Sequence, residues 1–128
     1  MSFCFKNLNP QSKIVKDCVV RAIALATNES WDRTYIKLSV MGFFHKDVFT
    51  SNYIWGLYLL QNGFKKQILP NQCPDCYTVE QFCADHPSGI YVLAIGDHVV
   101  TAIDGTFYDT WQSGDLVVQY FFKKEGKE

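Results

Sequence analysis

The stretch that most restricts the fold lies between residues 90 and 122, where short apolar runs alternate with turn residues. Runs of this length, rich in β-branched and aromatic residues and bounded by Gly and Asp, predict β-strands. The Asp104-Gly105 pair is a strong signal for a two-residue hairpin. We therefore expect an antiparallel sheet built from IYVLAI at 90–95, HVVTAI at 98–103, TFYDTW at 106–111 and LVVQYFF at 116–122.

The chain before residue 89 carries helical patterns instead. After a loop up to about Lys16, a helix is predicted near residues 17–27, and it is apolar almost all round, with Arg21 as the one charge between Val19 and Ala26. This pattern suits a central, buried helix. Three further helices are predicted: one from Ser30 to Gly42 with Trp31, Tyr35, Leu38 and Met41 at helical spacing; one from about Ser51 to Asn62-Gly63 that buries Tyr53, Ile54, Leu57, Tyr58 and Leu60; and one from a Thr78/Gln81 capping box to Pro87.

Helices followed by an antiparallel sheet predict an α+β fold. The 128 residues are 48% hydrophobic and 16% aromatic, which predicts one domain over 1–128, with a frayed tail at about 123–128. A net charge of −1 does not favour nucleic acid as a partner. No apolar signal core and no membrane-length apolar run are present in the sequence, so we expect a cytoplasmic protein that does not enter a membrane.

The predicted hairpin brings a histidine and an aspartate together. A two-residue turn at 104–105 pairs Ile103 with Thr106, and the same register sets Val100 opposite Asp109 and His98 opposite Trp111. Because side chains alternate between faces, His98 and Asp109 then share one face as diagonal neighbours within side-chain reach. A three- or five-residue loop would place them on opposite faces.

Cys18 opens the predicted central helix, where the helix dipole and free N–H groups favour a thiolate. With His98 as base and Asp109 as the group that orients it, the chain supplies a nucleophilic triad. The helix N–H at Cys18 is a candidate oxyanion donor. Each residue also has an ordinary interpretation: Cys18 as a small core residue, His98 as a strand histidine, Asp109 as an exposed acid and Trp111 as a core aromatic.

These motifs resemble the papain-like cysteine peptidase superfamily. KDCVVRAIALAT, HPSGIYVLAI and HVVTAIDGTFYDTWQSG are similar to small papain-like proteins of phages and prophages of Firmicutes, over residues 7 to 122. The resemblance implies a papain-like fold and a thiol hydrolase that cleaves peptide or isopeptide bonds, in the host cytosol if phage-encoded, with a bacterial host protein among its candidate substrates. DTW at 109–111 matches the family's Asn-Ser-Trp signature, which implies that Trp111 shields the His98–Asp109 pair.

The resemblance also implies an oxyanion glutamine six residues before the cysteine. Ser12 occupies that position here, and Gln11 is seven residues before Cys18, so Gln11 fills the role only if the loop differs by one residue. Transglutaminases and arylamine acetyltransferases share the Cys-His-Asp order. A catalytically silent papain-like binding protein is the non-enzyme alternative.

The cysteines outside the triad raise the question of a metal. Five cysteines without a secretion signal favour reduced thiols over disulfides. Cys73, Cys76, Cys83 and His86 have the residue types of a structural zinc site, but the spacing is tight and Cys83 falls at a core position of the fourth helix. We expect packing rather than zinc, and no cofactor.

Overall fold

In the part of the chain that the structure describes, four helices combine with one six-stranded sheet. The structure is a computed structural model that describes residues 2–69 and 77–125. Within these residues, no helix is long and apolar enough to cross a membrane. The elements in chain order are β1 (Phe3–Phe5), α1 (Cys18–Thr27), α2 (Trp31–His45), α3 (Asn52–Gln61), β2 (Phe64–Ile68), α4 (Val79–Asp85), β3 (Ile90–Ile95), β4 (His98–Ile103), β5 (Thr106–Asp109) and β6 (Tyr120–Lys124).

The sheet has the strand order β1-β5-β4-β3-β6-β2. The α+β class is confirmed, but the expectation of a purely antiparallel sheet after the helices is wrong. β1 pairs in parallel with β5, and β2, which precedes α4, pairs antiparallel with β6. β1 comes from a segment that the sequence analysis assigned to a loop, and β2 from a segment to which it assigned no element.

The two faces of the sheet carry separate hydrophobic clusters. Val92, Val99 and Phe122 pack with α1, α2 and α3. Leu93, Val100 and other strand residues that point to the opposite face pack with α4. α1, α2 and α3 therefore cover one face of the sheet, with α1 against β4, and α4 covers the other.

α1 is the central helix that the sequence predicts. Seven of its ten residues are buried, and Asn28 ends it in the left-handed conformation. The hydroxyl of Thr101 on β4 donates a hydrogen bond of 2.6 Å to the carbonyl oxygen of Ala22. This bond sets α1 against the strand that begins with His98.

α2 runs beyond its predicted end. Ser30 caps the N-terminus as expected, but the helix passes through Gly42 to His45, and Lys46 takes the left-handed C-cap position. Gly42 is buried because the following loop crosses it: a Cβ there would lie 2.7 Å from the carbonyl oxygen of Asp47. The glycine serves close packing and does not stop the helix.

α3 begins near Ser51 and ends near Asn62, as predicted, and Ser51 is its N-cap. Its buried face differs from the prediction, because Tyr53 and Leu60 are 61% and 50% exposed. Trp55 and Leu59 are buried instead. α4 begins with the predicted Thr78/Gln81 capping box.

The predicted register of the β4–β5 hairpin is confirmed: Ile103 pairs with Thr106 and Thr101 with Tyr108. Asp104 and Gly105 both have positive φ, at 51° and 83°, as a two-residue hairpin turn of this type requires. The ladder stops at Thr101–Tyr108, so the predicted pairs of Val100 with Asp109 and of His98 with Trp111 lie outside it. The strand predicted over 106–111 ends at Asp109, which pairs with Phe5 of β1.

The last strand is shifted from its predicted position. β6 starts at Tyr120, four residues later than LVVQYFF begins, and continues to Lys124. Residues 116–119 lie outside the strand, where Val117 makes one isolated bridge with Thr78. The tail expected at about 123–128 therefore contributes two residues to the sheet, and residues 126–128 lie outside the described part of the chain.

Candidate active site

Cys18 is the first residue of α1, and its side chain is partly buried. Asp17 occupies the N-cap position but makes no side-chain cap bond. Its carboxylate instead accepts hydrogen bonds from Arg21 Nε at 2.7 Å and Trp31 Nε1 at 3.0 Å. The first-turn N–H groups of α1 are thus left without a side-chain cap, beside the thiol.

The loop before Cys18 is held by Asn9, a residue that the sequence analysis missed. Asn9 is buried, and its Oδ1 accepts the backbone N–H groups of Gln11 and Lys13. Its Nδ2 donates to Asp17 Oδ2 at 3.2 Å. The sequence analysis placed Asn9 in a loop, and only the fold shows that its side chain braces the start of α1.

His98 and Asp109 lie at the ends of neighbouring strands, where β4 begins and β5 finishes. His98 Nε2 donates to Asp109 Oδ2 across 2.6 Å. Because Nε2 is engaged there, Nδ1 is the ring nitrogen that remains for the thiol of Cys18. The structure therefore brings together the three residues that the sequence proposes as a triad.

Asp109 is completely buried and accepts four hydrogen bonds. Oδ2 receives those of His98 and the Ser113 hydroxyl, each 2.6 Å long. Oδ1 receives the Thr110 N–H at 2.8 Å and Arg21 Nη1 at 3.3 Å. These four hydrogen bonds together fix the orientation of the Asp109 carboxylate, which no single bond would do.

Arg21 and Ser113 join the site through Asp109. Arg21 forms an ion pair with Asp17 at 2.7 Å and reaches Asp109 at 3.3 Å. Ser113 follows Asp109 by four residues in an irregular segment and is buried. No periodic signal marks such a residue, so the sequence could not identify it.

The electrostatics of the site favour a thiolate–imidazolium pair. Burial raises the pKa of the Cys18 thiol, but hydrogen bonds with His98 and the Val99 N–H, and the charges of His98 and Arg21, lower it below its usual value. Burial lowers the pKa of His98, whereas Asp109 and Cys18 together raise it to about 9. The proton shared by thiol and ring is therefore favoured on the ring.

Trp111 lies beside the pair, with its ring centroid 5.1 Å from that of His98 and the planes tilted by 36°. The indole is 47% exposed. It covers one side of the imidazole while facing solvent itself, an arrangement that limits access of water to that side.

Gln11 is exposed in the turn braced by Asn9. A cavity of about 430 Å³ opens at Cys18, and Gln11 is not among the described residues that line it. Its walls combine apolar side chains such as Val19 and Trp55 with the charged Lys16 and Asp97. The structure therefore does not bring Gln11 to the thiol as an oxyanion donor.

The candidate zinc residues divide between described and undescribed parts of the chain. Cys73 and Cys76 lie outside the described residues. Cys83 is a member of the core below α4, as its helical spacing predicted, and burial, together with the charge of Glu80, raises its pKa to about 11. His86 stacks on a core phenylalanine with ring centroids 3.8 Å apart. Over residues 2–69 and 77–125, no three His, Cys, Asp or Glu side chains converge as metal ligands.

Comparison with known proteins adds no relative: no family model, curated protein sequence or solved structure matches the chain. What can be inferred about function therefore depends on the geometry around Cys18.

Proposed function

We propose that the protein is a papain-like thiol hydrolase that cleaves peptide or isopeptide bonds with Cys18, His98 and Asp109. The observation that carries the proposal is the order of contacts at the start of α1: a helix-terminal thiol interacts with an imidazole that is bonded to a buried carboxylate across 2.6 Å. An ordinary core cysteine needs neither a histidine partner nor a lowered pKa.

The reaction would begin with attack of the Cys18 thiolate on the carbonyl carbon of the substrate. His98, protonated at neutral pH because its pKa is raised to about 9, gives its proton to the leaving amine. The neutral ring then takes a proton from water, and the resulting hydroxide attacks the thioester and releases the carboxylic acid. Asp109 keeps the ring oriented through both steps.

The oxyanion formed in each step needs hydrogen-bond donors. The backbone N–H of Cys18, at the uncapped start of α1, supplies one. Gln11 is exposed in this structure and supplies a second only if its turn moves toward Cys18. A Gln11→Ala variant that retains full activity would assign the second donor to another group.

The direct test of the thiolate is labelling with iodoacetamide at about pH 6.5, where an ordinary thiol is about one per cent ionised. Peptide mapping should show Cys18 modified faster than Cys4 and Cys83. His98→Ala should remove most of this advantage, whereas His45→Ala, a change at the C-terminal end of α2, should leave it intact. Equal labelling of all thiols, unchanged in His98→Ala, would refute the proposal.

The nature of the acyl acceptor requires a second experiment. A mixture of peptides incubated in ¹⁸O-water with the wild-type protein should yield new C-termini that carry the heavy isotope, and Cys18→Ala should yield none. New amide bonds to an added amine, without isotope incorporation, would assign the triad to acyl transfer. A reactive Cys18 with neither product would favour a binding protein.

A further inference from the structure

A second cavity adjoins the one at Cys18. The Cys18 cavity, of about 430 Å³, and a groove of about 220 Å³ along α3 have Asn52 as a common wall residue. We call the second the α3 groove; its walls include Gly56, Leu60, Lys66 and Tyr120. The two cavities therefore meet at the first residue of α3.

The boundary between the two cavities is well braced. Asn52 Oδ1 accepts a hydrogen bond from Trp55 Nε1 at 3.1 Å, and the Trp55 ring lies parallel to that of Tyr120, with centroids 6.4 Å apart. Because the oxygen of Asn52 is engaged, its amide N–H groups are the polar donors that it can offer a ligand. Donors of this kind suit the carbonyl oxygens of a passing peptide.

The α3 groove is apolar, with one cation at its edge. Leu60, which lines the groove, is 50% exposed. Gly56 forms part of the wall, where an added Cβ would approach the Phe122 ring to 3.3 Å. Lys66 Nζ is held 4.4 Å above the Tyr120 ring. The groove thus offers an apolar surface to a side chain and a positive charge to an acidic one.

We infer that the α3 groove binds a polypeptide substrate at residues away from the bond that Cys18 cleaves, a conclusion that rests on the proposed function. From Asn52 to Leu60 the helix rises about 12 Å, the length of three to four extended residues. The substrate class is therefore an extended peptide segment, with a large apolar side chain three to four residues beyond the one that lies at Asn52 and an acidic residue near it. A small acyl donor would occupy the Cys18 cavity alone.

The test uses reactive peptides that label Cys18. One series has a C-terminal chloromethyl ketone and extends on the acyl side, and the other has an N-terminal bromoacetyl group and extends on the leaving-group side. Each series compares a pentapeptide that has Leu and Glu at its distal positions with an all-Gly pentapeptide. The rate of Cys18 modification is followed by intact mass, with iodoacetamide as the probe that has no peptide.

The Leu/Glu peptide of one series should label Cys18 about tenfold faster than its all-Gly version, which is the effect of partly burying one apolar side chain. Lys66→Glu and Leu60→Ser should reduce that ratio toward one without changing the iodoacetamide rate. Two matched controls should retain it: Lys65→Glu, the same charge change on the opposite face of β2, and Ile36→Ser, at an exposed position of α2.

Two results would overturn this inference but leave the proposed function standing, provided that iodoacetamide still reacts selectively with Cys18. One is equal labelling by Leu/Glu and all-Gly peptides in both series. The other is a Lys66→Glu variant that behaves as Lys65→Glu does. If iodoacetamide itself fails to distinguish Cys18 from the other thiols, the proposed function fails, and the inference fails with it.

Discussion

Replacing Asp109 by Asn tests the charge of the carboxylate while preserving its shape. Asp109 Oδ2 lies 2.6 Å from His98 Nε2, and together with Cys18 it raises the pKa of His98 to about 9, against the effect of burial. The rise from the ordinary value near 6.5 corresponds to about 3 kcal/mol, part of which belongs to Cys18. We expect Asp109→Asn to lower the pKa of His98 by about one to two pH units.

The assay is a titration of the imidazole signals by two-dimensional NMR between about pH 5 and pH 10.5. The chain has three histidines, so the His98 signals are assigned by their loss in a His98→Ala spectrum. Repeating the titration in Cys18→Ser separates the contribution of the thiolate from that of Asp109.

The same variant changes how stability depends on pH. A base whose folded-state pKa is raised stabilises the protein fully below its unfolded pKa, near 6.5 for His98, and this stabilisation is lost as the pH rises through about 9. In the Cys18→Ser background, urea denaturation should therefore show a loss of free energy of unfolding across this window, and Asp109→Asn should make that loss smaller. A His98 midpoint near 6.5 in the wild-type protein, or one unmoved by Asp109→Asn, would refute the reasoning.

Three further predictions concern the fold and the metal question. Gly42→Ala should lower the free energy of unfolding in urea by about 1–3 kcal/mol, because the Cβ would lie 2.7 Å from the Asp47 carbonyl oxygen; a change under about 0.5 kcal/mol would contradict this. Thr78→Ala should cost about 1 kcal/mol by the same measurement, since it removes the capping box with Gln81, and an unchanged stability would show that the cap is dispensable. Elemental analysis should find less than one zinc per chain, because Cys83 packs in the core; one zinc, lost together with thermal stability on chelation, would overturn this.

The sequence predicted best those features that depend on a few adjacent residues. A two-residue Asp-Gly turn permits one strand register, so the pairing of β4 with β5 followed from the sequence alone. Caps at Ser30 and Thr78 depend on a side chain and an N–H group three residues away, and both were placed correctly. Each of these features is fixed before the rest of the chain packs.

Features that arise from packing were missed. β1 has only three residues, and it is a strand because β5 pairs with it from more than a hundred residues away in sequence. Gly42 is a residue type that commonly ends helices, but here its small size makes room for the loop that crosses the helix. Tyr53 and Leu60 sit at apolar positions of α3 that border a groove and not the core. Local periodicity does not distinguish a core-facing apolar side chain from one that lines a groove.

The candidate site follows the same division. Cys18, His98 and Asp109 could be proposed because a helix start and a hairpin register locate them. The contact of Arg21 with Asp109 requires knowing that α1 packs across β4 and reaches β5, and no residue pattern carries that information. The hydrogen bond from Ser113 depends on the irregular segment after β5 folding back toward the strand end.

The charges inside the candidate site explain how two distant parts of the chain are held together there. Asp17, Arg21, Asp109 and His98 form a continuous series in which neighbouring charges have opposite sign. Buried ion pairs of this kind contribute little net stability compared with apolar residues of equal volume, because desolvation offsets much of their attraction. They do fix the position of α1 relative to the sheet, because Arg21 can bind both carboxylates only when the start of α1 lies against the end of β5. This placement of α1 also brings the Cys18 thiol to the His98 imidazole. The buried charges therefore hold the two groups at the distance that a thiolate–imidazolium pair needs, which packing alone does not require.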